Sequence, residues 1–329
     1  MVPSPPGLAF GLRFDLRNPG FAGTSMPDRY AAALEMTEWA DRLGGTYVSL
    51  AEHHGSEDGY VPSPLVLLSA MAARTTSAHL AVAALIAPFY DPLRLAEDML
   101  VLDNLSRGRV SLVIGAGYVP EEFEMYGVPM TERVRRVVEV VETLQGAFSG
   151  EPFEYRGRTV HLTPGPHSER FRISLGGSSA GAGRRAARLG LGFVPSSEAA
   201  WDAYRAERIE RGRRDPGPMV VGPAPQVFLA RDPDQGWAEM GPYLLHESNS
   251  YGELRERGDV DTPYRTMADL DDLRASGSYL VLRPEEYVAR IEADPASFPL
   301  LHPLCGGMPV DLAWASLRLF EHEVLPAFA

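Results

Sequence analysis

A carboxylate followed by two imidazoles, Glu52-His53-His54, runs into Gly55. Such a trio can move protons near neutral pH, hydrogen-bond a bound ring, or ligate a metal ion. The same residues also suit a surface loop before a glycine turn. Metal ligation is the weakest of these options. Adjacent histidines on an extended chain point to opposite faces, and no other His-rich or acidic cluster has ligand spacing, so no metal site is expected. A second group is Gly176-Gly177-Ser178-Ser179, leading into a helix that carries Arg184 and Arg185. Exposed amides, two hydroxyls and a helix N-terminus together favour an anion, most simply phosphate, over a flexible loop. Gly115-Ala116-Gly117 suits a backbone that turns or admits a ligand. Ala83-Ala84 has side chains small enough for a flat ligand to reach the backbone, although a packed core strand would look the same. Gly181-Ala182-Gly183 matches the loose dinucleotide pattern. It lies five residues beyond its strand, where that fingerprint needs immediate contact.

Each group sits at the end of an apolar run, so the elements that position them can be read. Strands are expected at Leu8–Phe14, Tyr47–Ala51, Leu80–Ala87, Val110–Ile114, Phe171–Leu175, Gly192–Val194, within Met219–Ala230, and at Phe298–Leu301. Helical spacing covers Asp28–Leu43, Pro64–Thr75, Pro92–Leu105, Thr131–Phe148, Gly181–Leu189, Ser197–Arg213, Arg283–Ala293 and Val310–Val324. Residues 150–168 read as a looped excursion with a hairpin over Tyr155–Arg158. Gly241–Ser278 is polar and weakly periodic, and reads as an insertion or lid. Short Val/Ile/Leu-rich strands alternating with helices mean a parallel sheet, and about eight such units favour a closed barrel. The expected fold class is therefore α/β, a (β/α)8 TIM barrel with insertions. Residues 1–329 would form one domain, because no composition break marks a second. In such a barrel the strand ends carry the active site, which is where all the groups above lie.

Composition removes whole classes of chemistry. The 31 basic residues are all arginine, so lysine Schiff bases, pyridoxal anchoring and the Walker lysine are excluded. A formal charge of −13 opposes nucleic-acid binding. The single cysteine, Cys305, rules out a disulfide framework within one chain. The Pro-rich start lacks the features of a signal peptide, and the apolar run Leu80–Tyr90 is well short of the ~20 residues a membrane helix needs. A cytoplasmic protein with no membrane partner is expected.

Taken in order, Leu50-Ala51-Glu52-His53-His54, Leu93–Asp98, Leu102–Arg109, Gly115–Gly127 and Gly176–Gly190 resemble the bacterial luciferase-like family of flavin- and deazaflavin-dependent oxidoreductases and monooxygenases. Leu301–Gly307 and Trp314–Phe320 add to the resemblance, which runs from about residue 8 to 230 and resumes near 278. It implies a barrel with a flavin at the C-terminal strand edge, His53 as the catalytic histidine, and Glu52 near the flavin. A non-prolyl cis peptide would fall at Ala83–Ala84, against the ring, with Gly115 nearby. Gly176, Gly177, Ser178 and Ser179 would hold the cofactor phosphate. One departure stands out: bacterial luciferase has a phosphate-contacting arginine in the fourth-strand turn, where this chain has Ala116. The phosphate would then fall to amides, hydroxyls, and Arg184 or Arg185. The resemblance favours FMN, reduced by a separate flavin reductase, forming a C4a-hydroperoxide that oxygenates a small organic substrate. A deazaflavin coenzyme passing hydride is the alternative, and a non-catalytic flavin-binding partner subunit is another. It also implies a homodimer built on Pro64–Thr75 and Pro92–Leu105.

Overall fold

The computed structural model describes residues 7–219, 225–260, 264–294 and 296–329. Among the described residues, eleven strands follow in chain order: β1 (Gly11–Phe14), β2 (Tyr47–Leu50), β3 (His79–Ile86), β4 (Val110–Gly115), β5 (Phe153–Tyr155), β6 (Arg158–Val160), β7 (Arg172–Gly177), β8 (Gly192–Pro195), β9 (Gln226–Leu229), β10 (Tyr279–Leu282) and β11 (Leu300–Leu301). Seven of them form one curled parallel sheet in the order β11-β1-β2-β3-β4-β7-β8. β9 and β10 form a separate parallel pair, and β9 packs beside β11, so the pair extends the barrel wall. β5 and β6 form the expected hairpin.

Register explains which side chains face where. Leu12, Val48, Leu80 and Val110 are aligned across four strands and are all buried. They lie on the face that meets the helices, as Phe10 does by packing edge-on against Trp39 of the helix Met26–Arg42. The next register row is Arg13, Ser49, Ala81 and Ser111. By the two-residue period of a strand, these face the lumen. Barrel interiors are usually filled by branched aliphatic residues. Here small and polar ones leave space.

The expected strand and helix positions hold through residue 213 within a few residues, with one helix added, Pro120–Tyr126. Of Met219–Ala230, only Gln226–Leu229 is strand, and residues 220–224 lie outside the described residues. The polar stretch 241–278 differs more. Its first half belongs to a 26-residue helix, Pro233–Gly258, its second half contains the helix Leu270–Ser276, and β10 follows. The buried face of the long helix passes from Trp237, Met240 and Leu244 to Glu247 and Ser248 before reaching Tyr251. Two polar residues on the inward stripe, with Pro242 inside the helix, hide the period. Gly306 lets the turn after β11 approach this helix: its φ is +56°, and a side chain there would collide with the Tyr243 carbonyl. Among the described residues, no helix is long and apolar enough to cross a membrane.

Candidate active site

β2 delivers Glu52, His53 and His54 to the barrel rim, where all three are buried. Glu52 is fully engaged. Its carboxylate accepts from the Ile86 amide at 2.6 Å and the Tyr90 hydroxyl at 2.7 Å, and lies 3.0 Å from His54 Nε2. It therefore ties the end of β3 to the end of β2. The two histidines diverge. His53 faces a large cavity, while His54 turns to a separate recess beside Phe89 and Tyr126, its Nδ1 3.0 Å from the Tyr126 hydroxyl.

The key partner comes from the short helix Pro120–Tyr126. Glu122 Oε1 lies 2.8 Å from His53 Nδ1 and accepts from the His54 amide at 2.9 Å. A carboxylate on Nδ1 selects the tautomer that carries its proton there and leaves Nε2 as the free basic atom. The Tyr118 hydroxyl lies 3.5 Å from that Nε2. The rings of Tyr60, Tyr118 and Tyr251 stand edge-on to the imidazole. Burial raises the Tyr118 phenol above its ordinary range, and Glu122 adds to the effect. It is thus a neutral hydroxyl at working pH. Nothing in the sequence pattern marked Glu122 or Tyr118, because the contact spans 69 residues between separate loops.

Glu52, His53, Ala83, Ala84, Gly115, and Gly176 through Ser179, all singled out from sequence, line one cavity of about 850 Å³, whereas His54 and Arg184 do not. That volume lies toward the upper end of the roughly 300–1,000 Å³ usual for small-molecule and cofactor sites. The Ala83–Ala84 peptide bond is cis. A Cβ on Gly115 would come within 3.2 Å of Ala84 Cβ, so glycine keeps this wall open. Beyond β7, Ser179 caps the helix Ala180–Leu189, accepting from the Ala182 amide, and Ser178 lies beside it. Of the two arginines considered, Arg184 is exposed and Arg185 lines the cavity. Burial lowers the Arg185 pKa, and the neighbouring Arg133 and Arg188 lower it further. Arg133, unmarked in the sequence, also lines the cavity. Among the described residues, neither Arg133 nor Arg185 has a carboxylate partner.

The cavity also reaches down into the lumen, to Arg13, Tyr47, Ser49 and Leu300. Behind Arg13 lies a buried polar array. Glu247 accepts from Cys305 Sγ and stands 3.2 Å from His302 Nδ1. The ligand atoms of Glu247, His302 and Cys305 lie within 4.8 Å of one another. This corrects the expectation that no further cluster has ligand spacing, since the long helix and the turn after β11 bring together residues that are 58 positions apart in sequence. The Cys305 thiol and the His302 imidazole both meet the Glu247 carboxylate. Burial alone would raise the Glu247 pKa, but His302 and Arg13 hold the carboxyl below its usual range. Burial and Glu247 push the Cys305 thiol up.

Comparison with known proteins places this geometry. Monooxygenase RslO1 from Streptomyces bottropensis is 25% identical and superposes with a TM-score of 0.74, over 98% of this chain and all of that one. The oxygenating constituent of 3,6-diketocamphane monooxygenase from Pseudomonas putida, solved in complex with FMN, is 20% identical with a TM-score of 0.69, over 98% and 99% of the chains. An F420-dependent secondary alcohol dehydrogenase, 17% identical with a TM-score of 0.68 over the same shares, has the same fold. An uncharacterised Sinorhizobium fredii protein, y4wF, is 26% identical over 98% of this chain and 97% of its own. The luciferase-like monooxygenase family model matches residues 10–296, and the chain belongs to that family of barrel-fold oxidoreductases.

Proposed function

We propose that this protein is a flavin-dependent monooxygenase that takes FMN from a separate flavin reductase in reduced form and inserts oxygen into a small organic substrate. The observation that carries this reading is the His53–Glu122 pair, held at 2.8 Å, in the same cavity as the cis Ala83–Ala84 bond and the Gly176–Ser179 loop. The residues fit the cofactor. Two guanidiniums without carboxylate partners among the described residues, Arg133 and Arg185, line the cavity with Ser178 and a helix N-terminus, as a phosphate requires. They supply the charge that Ala116 does not. Ala83, Ala84, Gly115 and Gly176 form a wall without bulky side chains for a flat ring.

Bound reduced flavin supplies the two electrons that activate oxygen. The chain's own residues do the rest. Glu122 keeps the Nδ1 proton in place, so that His53 Nε2 handles a proton within the cavity. Glu52 locks β2 to β3 beneath the ring site. Tyr60, Tyr118 and Tyr251 exclude water around the imidazole. The stretch 241–278 contributes Tyr251, Gly258, Asp259, Val260 and Tyr264 to the cavity wall, which supports its reading as a lid over the substrate. A cytoplasmic homodimer completes the proposal. Val66, Val101 and Leu105 are 72%, 55% and 47% exposed on the helices Pro64–Arg74 and Pro92–Ser106, which supports pairing through those helices.

One observation favours a second reading, hydride transfer from a reduced deazaflavin: Ala116 offers no guanidinium in the fourth-strand turn. Titrating the purified protein with FMN and with a deazaflavin, each followed by fluorescence quenching, separates the two. Micromolar FMN binding together with reductase-dependent oxygen uptake is the expected result. Binding of the deazaflavin alone would establish the second reading, and binding of neither would leave a non-catalytic partner subunit.

A further inference from the structure

Three arginines lie around the first strand and its neighbours, and two are buried and do not line the cavity. Arg17 is buried with Nη1 2.6 Å from Asp58, and its guanidinium sits over the rings of Tyr60 and Tyr251 at 4.7 and 4.9 Å. Arg29 gives three N–H donors to the carbonyls of Arg17 and Met308 at 2.8–3.0 Å. Arg13 is different. It projects from β1 into the cavity, and its side chain is 22% exposed there. Among the described residues its partners are the Tyr264 hydroxyl at 3.3 Å and Glu247 Oε1 at 3.5 Å, both at the outer limit of hydrogen-bonding distance. His302 and Cys305 meet the other oxygen of Glu247, Oε2, so Oε1 takes a single long N–H bond from Arg13 and the guanidinium keeps further donors for a ligand.

Arg13 and His53 also share a wall. The Tyr264 ring stacks on Tyr251 at 4.4 Å, the Tyr251 hydroxyl meets that of Tyr60 at 2.7 Å, and both Tyr60 and Tyr251 stand against the His53 imidazole. A continuous surface of phenol rings therefore runs from a cation with spare, fork-like donors to the basic imidazole.

Building on the functional reading above, we propose that Arg13 anchors the substrate. The substrate class is a planar organic molecule bearing a delocalised oxyanion (carboxylate, phenolate or enolate). The oxyanion takes the guanidinium fork, and the planar framework lies along Tyr264, Tyr251 and Tyr60 with its reacting carbon toward His53. A neutral or cationic substrate of the same shape leaves the fork unpaired and binds less well.

The test uses 2-naphthoate and its neutral isostere 2-naphthamide, titrated into the full-length protein by equilibrium dialysis, with and without saturating FMN. The wild type is expected to bind naphthoate at least tenfold more tightly. Arg13→Leu should erase that preference while leaving naphthamide affinity within about threefold, and Arg13→Lys should restore part of it. Equal affinities in the wild type, absence of naphthoate binding, or an unchanged preference in Arg13→Leu would each overturn the assignment. If Arg13→Leu fails to fold because Glu247 loses its brace, the wild-type comparison and Arg13→Lys still decide. FMN binding is measured in the same samples. Its absence sinks the functional reading, whereas FMN binding without the oxyanion preference sinks only the role of Arg13.

Discussion

The two ends of the cavity solve different problems with different materials. Beside β2, every functional atom is a side chain held by another side chain: Glu122 on His53, Glu52 on His54 and Tyr90. Beyond β7, the site consists of backbone, hydroxyls and two guanidiniums that lack carboxylate partners among the described residues. In the proposed reading the first end fixes one proton at one atom and works as a unit. The second spreads a charge over several donors, none of which is indispensable. Proton transfer demands position, whereas anion binding demands only summed potential.

Mutations can break or sharpen that contrast. His53→Ala removes the atom the first end is built to present. We expect coupled product formation to fall by about 10²–10⁴-fold with FMN affinity preserved, measured as product per oxygen consumed; unchanged yield would remove His53 from the chemistry.

The lumen below offers a test on a comparable scale. His79 is held neutral by its burial first, then by Arg172 and Arg109, so that its pKa falls to about 4. The unfolded chain takes up that proton near 6.5 and the folded chain does not until about 4, so stability is lost as pH falls through that window. The upper bound is about 3 kcal/mol. Denaturant unfolding at a series of pH values should show this slope in the wild type and a flatter one in His79→Asn.

Glu122→Gln should cost about 10–100-fold in turnover, because the amide can hold Nδ1 but no longer stabilises an imidazolium. A larger loss than in His53→Ala would contradict its supporting role. At the other end, Arg185→Ala or Arg133→Ala should each weaken FMN by about tenfold and leave riboflavin, which lacks the phosphate, unaffected. Ser178→Ala should cost only about two- to fivefold, and a collapse there would mean that this end also acts as a unit.

How much of this was legible in the sequence follows the same divide. The second end is local apart from Arg133: Gly176 to Arg185 is one run in which strand end, hydroxyls and helix start are consecutive, so that part could be read directly. Glu52, His53 and His54 were equally visible, but the partner that selects the tautomer was not, because Glu122 reaches them only through tertiary folding. Arg13 was missed for a related reason, since a lone arginine in a four-residue strand carries no periodic signal. The helix Pro233–Gly258 was obscured by its own function. Glu247 and Ser248 occupy the inward stripe where a hydrophobic period would have continued. The separate β9–β10 pair was hidden because β10 spans four residues after a turn.

The burial of Cys305 provides a clock. It is the chain's only thiol, it has no exposed surface, and Glu247 covers its sulfur. A thiol-directed label can reach it only in a form in which this region has opened, and its raised pKa keeps the reaction slow until that happens. Labelling kinetics in native buffer therefore count those openings one molecule at a time. Any small molecule that bridges Arg13 and Tyr251 of the long helix will slow the count by the factor with which it favours the closed form.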